Sequence, residues 1–218
     1  MNVNYKIDLH THSIISHDGG ISKQQYIDIL NSGMLDYIAI TDHNETGFAR
    51  MLNKEIGPKI IIGEEIKTTD GEIIGLFLKK TIAPGMSAVA TINEIHADGG
   101  LIYVPHPFEK GRSSIQEEVI REFIEKIDII ETFNGRGTLR GKSDAASTLA
   151  TTAKIAAAAS SDAHCKIGIG LTYSFISETP TEKTLPDLLR KGTLEKVYAP
   201  WYSLLCPGIN KIKNKLVL

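Results

Sequence analysis

Histidines and acids recur along this chain at spacings that suit metal ions. Asp8-Leu9-His10-Thr11-His12 leaves a short apolar run. In extended chain, residues two apart point to the same side, so His10 and His12 can offer two imidazoles to one ion, with Asp8 beside them. Ser161-Asp162-Ala163-His164 again sets acid and His two apart, far along the chain. Between them lie His17-Asp18 in a turn-prone HDGG, Asp42-His43 after an apolar run, Gly63-Glu64-Glu65, and His106 between Pro105 and Pro107. The two prolines restrict the backbone on both sides of that histidine, which preorganises a ligand. Imidazole nitrogen mixed with carboxylate oxygen suits Mn, Fe or Zn better than calcium.

One residue of His17-Asp18 and one of Glu64-Glu65 join His10, His12, His43, His106, Asp162 and His164. That set exceeds one tetrahedral site and fits two or three divalent ions sharing a carboxylate. Such a cluster acidifies a bridging water into a nucleophile and neutralises an anionic substrate, so phosphate esters are the natural target. Asp42 could orient an imidazole, and His43 or His164 could protonate a leaving oxygen. Arginine forks onto phosphate, which makes Arg112, Arg136 and Arg140 anion-binding candidates, with Asn134 beside them. Glu72 is expected to be solvated, although it could share the face of the ligands. His96, inside TINEIHADGG, is expected to be structural or on the surface.

These residues need elements that carry them to one place. Apolar runs predict strands at 5–9, 37–41, 59–62, 73–78, 101–104, 127–133 and 155–160, with a last one at 175–176. Caps and periodicity predict helices at 22–31, 46–55, 87–98, 115–126, 142–154 and 182–191. The alternation is β–α, and several strands are apolar throughout, as in a parallel sheet covered on both faces. That means a compact barrel or an open parallel sheet. In either, chemistry collects at the C-terminal ends of strands, where the listed residues fall.

The ordered set resembles the PHP family (polymerase and histidinol phosphatase). Asp8, His10 and His12 match its first motif, Thr41-Asp42-His43 its second, the His106 turn its third, and Asp162 with His164 its fourth. Gly63-Glu64-Glu65 matches a GxE element, which selects Glu65. The family's further ligand in the first motif is His or Asp, which favours Asp18 and keeps His17 in reserve. Many members carry a histidine just before the strand that is IIGLF here, where this chain has Glu72. The resemblance implies an α/β fold, a distorted (β/α)7 barrel, with a di- or trinuclear metal site and phosphoesterase activity. It points to the small stand-alone enzymes acting on phosphorylated metabolites or nucleotides. A non-catalytic PHP-like module, a histidinol phosphatase and an amidohydrolase are the rival readings.

Composition limits the setting. A net charge of −2 gives no global reason to bind nucleic acid or an anionic membrane, so only a local patch could do so. Hydrophobic residues at 42% exclude a disordered chain and supply a core for one domain over residues 1–218. No apolar stretch approaches the length that spans a bilayer, and no secretory signal is evident. Cys165 and Cys206 make no disulfide framework, which fits a reducing, cytoplasmic setting. The expected partner is a small phosphorylated substrate. The tail, with Trp201, Cys206 and KIKNK, is expected to be a solvated end.

Overall fold

In the computed structural model, residues 4–109, 111–137 and 143–216 are described. Among them, β1 (Tyr5–Asp8), β2 (Tyr37–Ile40), β3 (Ile60–Lys67), β4 (Glu72–Leu76), β5 (Leu101–Val104), β6 (Ile129–Asn134), β7 (Ala156–Ser160), β8 (Tyr173–Ile176) and β9 (Leu194–Glu195) form one sheet. Its order is β7-β6-β5-β4-β3-β2-β1-β8-β9. Pairing is parallel for β1-β2, β2-β3, β5-β6 and β6-β7. β4 runs antiparallel to both neighbours, so β5 regains the direction of β3.

The sheet curls into a nearly closed, distorted barrel. On the closing side, β8 pairs antiparallel with β1. It meets β7 through a side chain instead of a ladder: the Ala159 N–H donates to Ser174 Oγ at 3.0 Å. The mouth is closed by backbone. Asp162 N–H donates to His10 O and His12 N–H to Ala163 O, both at 2.9 Å.

The strands are apolar on both faces because both faces are covered. On β2, Tyr37 and Ala39 join the cluster inside the barrel, whereas Ile38 and Ile40 pack under α1 (Lys23–Asn31) and α2 (Gly47–Ile56). On β5, Leu101 and Tyr103 face inward, whereas Ile102 and Val104 pack with residues of α3 (Ala88–Asp98), α4 (Glu117–Glu122) and α5 (Ser143–Ala153). Leu185, Leu188 and Leu189 of α6 (Leu185–Lys191) join the interior cluster. Period-two alternation thus sorts each strand between two cores. Helix starts follow local chemistry: Ser22 and Gln25 form a reciprocal capping box before α1.

Three expectations are corrected. Gly63-Glu64-Glu65 is not a strand end, because β3 continues to Lys67 and forms a hairpin with β4. The tail is not a solvated end: a 3-10 turn at Trp201–Leu205 leads into α7 (Cys206–Leu216). The cysteines are not free, since Cys165 is bonded to Cys206 at the first residue of α7.

Candidate metal centre

All the expected ligands reach one mouth. His10 and His12 leave β1, His43 follows β2, Glu65 lies on β3, and His106 follows β5. Asp162 and His164 follow β7. His10, His12, Glu65, His106, Asp162 and His164 are buried. His106 and Asp162 have φ of 32° and 51°, left-handed backbone that aims their side chains at sharp turns.

Hydrogen bonds fix which imidazole nitrogen faces inward. Buried Glu131 on β6 accepts from Tyr103 Oη (2.8 Å), the His106 N–H (2.6 Å) and Asn134 Nδ2 (2.9 Å). Burial opposes its charge, but His10 holds it ionised, below the usual glutamate range. An ionised carboxylate only accepts, so His10 Nδ1, 3.1 Å away, carries the proton. Ser16 Oγ donates its proton to Asp42 at 2.7 Å, so His12 Nδ1, at 3.2 Å, donates to Ser16. Ser114 Oγ donates to the His106 carbonyl at 2.7 Å, so His106 Nδ1 donates to Ser114 at 3.2 Å. His164 Nδ1 donates to the Asp162 carbonyl at 2.9 Å. The Nε2 atoms of these four rings therefore face the cleft.

What they face is electron-rich. His10 Nε2 and His12 Nε2 stand 3.2 Å apart. Asp162 Oδ1 lies 3.6 Å from each. Glu65 spans two groups: Oε2 lies 3.5 Å from His10, 3.3 Å from His12 and 3.2 Å from His43 Nδ1, whereas Oε1 lies 3.2 Å from His106 Nε2. Asp18 spans His43 Nε2 at 3.4 Å and His164 Nε2 at 3.5 Å. Imidazole nitrogens crowded against buried carboxylates need positive charge between them, so this donor set fits divalent metal. Ligand atoms of Glu65, Glu72 and His106 also lie within 4.8 Å of one another.

Charge couples the cluster. Burial opposes a charge on His10, yet Asp162, Glu65 and Glu131 hold its pKa well above the usual imidazole range. Burial likewise opposes a charge on His43, but Glu65 and Asp18 raise it to about 9. Burial, with His12 and Arg136, depresses His164 to about 3. Burial and the nearby Glu65 raise Glu72 to about 7.

The structure separates several sequence alternatives. Asp18 is buried and turned inward, whereas His17 is exposed. Glu72 is not simply solvated but lines the cleft with Glu65 and His106. Asp42 does not face the cleft. It gathers the Ser13 N–H, Ser13 Oγ and Ser16 Oγ (2.7, 2.5 and 2.7 Å) and reaches His12 through Ser16. Asp8 accepts from the His10 and Ser161 N–H groups at 3.3 and 3.0 Å, stapling β1 to β7. Arg112 ion-pairs with Asp162 and, at 3.0 Å, with Glu109. Arg136 lies 3.4 Å from Asp162 and against His164. Asn134 Nδ2 donates to Asp162 at 3.1 Å. Arg140 lies outside the described residues. His96 is remote, 4.0 Å from Asp128. Sequence reasoning missed Glu131 and the serines Ser16 and Ser114; an acid directly after the apolar pair Ile129-Ile130 was the available signal for the first.

These groups open onto a cleft of about 560 Å³ whose rim includes Lys67, Arg112, Arg136 and Lys211. No protein-family model matches the chain. Among solved structures, it is similar to a two-domain protein from Bacteroides vulgatus containing a predicted PHP-like metal-dependent phosphoesterase. That match has a TM-score of 0.72 and 19% identity, over 96% of this chain and 70% of the other. It is also similar to Endonuclease Q in complex with duplex DNA bearing an abasic lesion, with a TM-score of 0.64 and 16% identity, over 87% of this chain and 57% of the other. The fold is therefore that of the PHP-like phosphoesterases. By sequence, the chain belongs to the family of the uncharacterized protein MJ0417 of Methanocaldococcus jannaschii, at 32% identity over 96% of this chain and 86% of that protein.

Proposed function

We propose that this protein is a PHP-family hydrolase that cleaves a phosphate ester with two or three bound divalent ions (Mn, Fe or Zn). The observation that carries the reading is the Glu65 carboxylate, with one oxygen on His106 and the other on His10, His12 and His43. Around it, His10, His12, Asp18, His43, Glu65, His106, Asp162 and His164 are the ligands, with Glu72 completing the side of His106. Ions held there supply an acidified water as nucleophile and offset the charge that develops on phosphorus.

The chain's own groups do the rest. Glu131, Ser16 and Ser114 hold the inward Nε2 atoms in place, so the ligand set is preorganised. Arg112 and Arg136, already paired with Asp162, are placed to fork onto a phosphoryl oxygen, and Asn134 holds the carboxylate between them. His43, raised to about 9 against its burial by Glu65 and Asp18, would have to give up its proton to serve as a ligand. Asp42 acts as a positioning residue through Ser16. The cleft volume and its lysines suit a phosphorylated metabolite or nucleotide.

The test is metal analysis of purified protein, then reconstitution with Mn, Fe or Zn and a phosphate-release panel. That panel covers p-nitrophenyl phosphate, nucleotides, histidinol phosphate and abasic duplex DNA. Metal-dependent release from at least one ester, lost in Glu65→Gln, is the expected result. Bound metal with no phosphoester cleaved, but an amide or lactone opened, would replace this reading with that of an amidohydrolase.

A further inference from the structure

The C-terminal helix is built the wrong way round for a helix that only packs on its own protein. Together with the preceding 3-10 turn, its inward face carries Ser203, Pro207, Asn210 and Asn214, at steps of four, three and four residues. Asn210 Nδ2 donates to the carbonyls of Asp18 (3.0 Å) and His164 (2.9 Å), and Asn214 Nδ2 donates to that of His17 (3.2 Å). The Cys165–Cys206 bond pins its start. The outward face repeats the same steps with Leu205, Ile209, Ile212 and Leu216, of which Ile212 is 63% and Leu216 81% exposed. An amphipathic helix normally buries its apolar stripe; this one docks by its amides and leaves the stripe bare. Just ahead stands Trp201, the only tryptophan in the chain, 71% exposed.

Charge selects what covers this face. Lys213 and Lys215 flank the stripe, Lys211 turns towards Asp18 at 3.9 Å, and α7 contains no acidic residue. Packing the stripe against its copy in a second chain would set lysine beside lysine. Nucleic acid would meet the lysines but has no use for a row of Leu and Ile. An apolar stripe edged by lysines, with tryptophan at its end, matches an anionic lipid surface, where aliphatic side chains enter the acyl boundary and ammonium groups meet headgroup phosphates. We propose that α7 docks this protein on anionic membranes through its outward face. Pro207 and Lys211, on the other side of α7, line the cleft. The proposal does not depend on the phosphoesterase reading.

The test is co-sedimentation of the full chain with phosphatidylcholine vesicles and with vesicles of equal parts phosphatidylcholine and phosphatidylglycerol. Partition about ten-fold or more stronger on the anionic vesicles is expected, with a blue shift of Trp201 emission that only those vesicles produce. Ile212→Glu should abolish both signals, and the double variant Lys213→Glu, Lys215→Glu should weaken them at least about ten-fold. All these side chains are exposed, and unchanged circular dichroism and metal content would show that the variants fold. Equal partition on both vesicles, no partition on either, or a dimer in solution that Ile212→Glu splits would each overturn the proposal.

Discussion

At the scale of the residue, the candidate ligands are readable and their supports are not. His10 and His12 declare themselves by spacing, but the orientation of their rings is set by Glu131, far along the chain, and by Ser16, four residues on and itself held by Asp42. Glu131→Gln removes one acceptor oxygen from a carboxylate that serves four donors. It should lower metal affinity or turnover about 10–100-fold, as for other groups that orient a metal-bound histidine. A chelator-competition titration beside kcat checks this, and wild-type values in both would contradict it. Asp8 makes a second prediction. Its pKa rises to about 7 through burial, against partial relief from the Ser161 and His10 hydrogen bonds. The folded state then holds a proton that the unfolded chain, near 3.8, releases. Its stability contribution is therefore complete below about pH 4 and is lost as pH rises towards 7. Asp8→Asn keeps an acceptor and removes the charge, so melts of metal-free protein should fall less between pH 4 and 7 than those of the wild type. An unchanged slope would refute the assignment.

At the scale of the element, periodicity and caps locate α1, α2 and α3, and the apolar runs locate the barrel strands. The hairpin of β3 and β4 escapes such reading, because its charged stretch, GEEIKTTDGE, looks like a loop. Pairing Glu65 with Ile74 and Lys67 with Glu72 is a long-range choice, and it is what brings Glu72 to the ligands. The tail escapes for a related reason: asparagines and a cysteine carry no core signal, and only their partners on distant loops make α7 an element. The Cys165–Cys206 bond closes a separation of 41 residues, and loop-closure entropy at that length gives a ceiling of about 4 kcal/mol. Reduction, or the double change Cys165→Ser, Cys206→Ser, should lower the unfolding free energy by about 2–4 kcal/mol, read as a lower urea midpoint. An unchanged midpoint would show that the amide contacts suffice.

At the scale of the whole molecule, the mouth of the barrel concentrates buried acids and imidazoles that repel or strand one another without ions. Metal should therefore be part of the stability. At a hundred-fold excess over Kd a single site adds about 2.7 kcal/mol, so chelation should lower Tm by about 5–10 °C and remetallation should restore it. A Tm indifferent to chelator would mean that the cluster is stable as a proton-sharing network alone. No described helix is long and apolar enough to cross a membrane. What the sequence determines by itself is the residue inventory and the β–α order, because side-chain type and local periodicity are properties of neighbouring positions. How Glu72 reaches the cleft, which nitrogen of each ring turns inward and which side of α7 is buried were decided only by tertiary structure. The deciding partners include Glu131, 121 residues from His10, and the carbonyls of His164 and His17, 46 and 197 residues from the asparagines of α7, which meet when the sheet curls and its mouth closes.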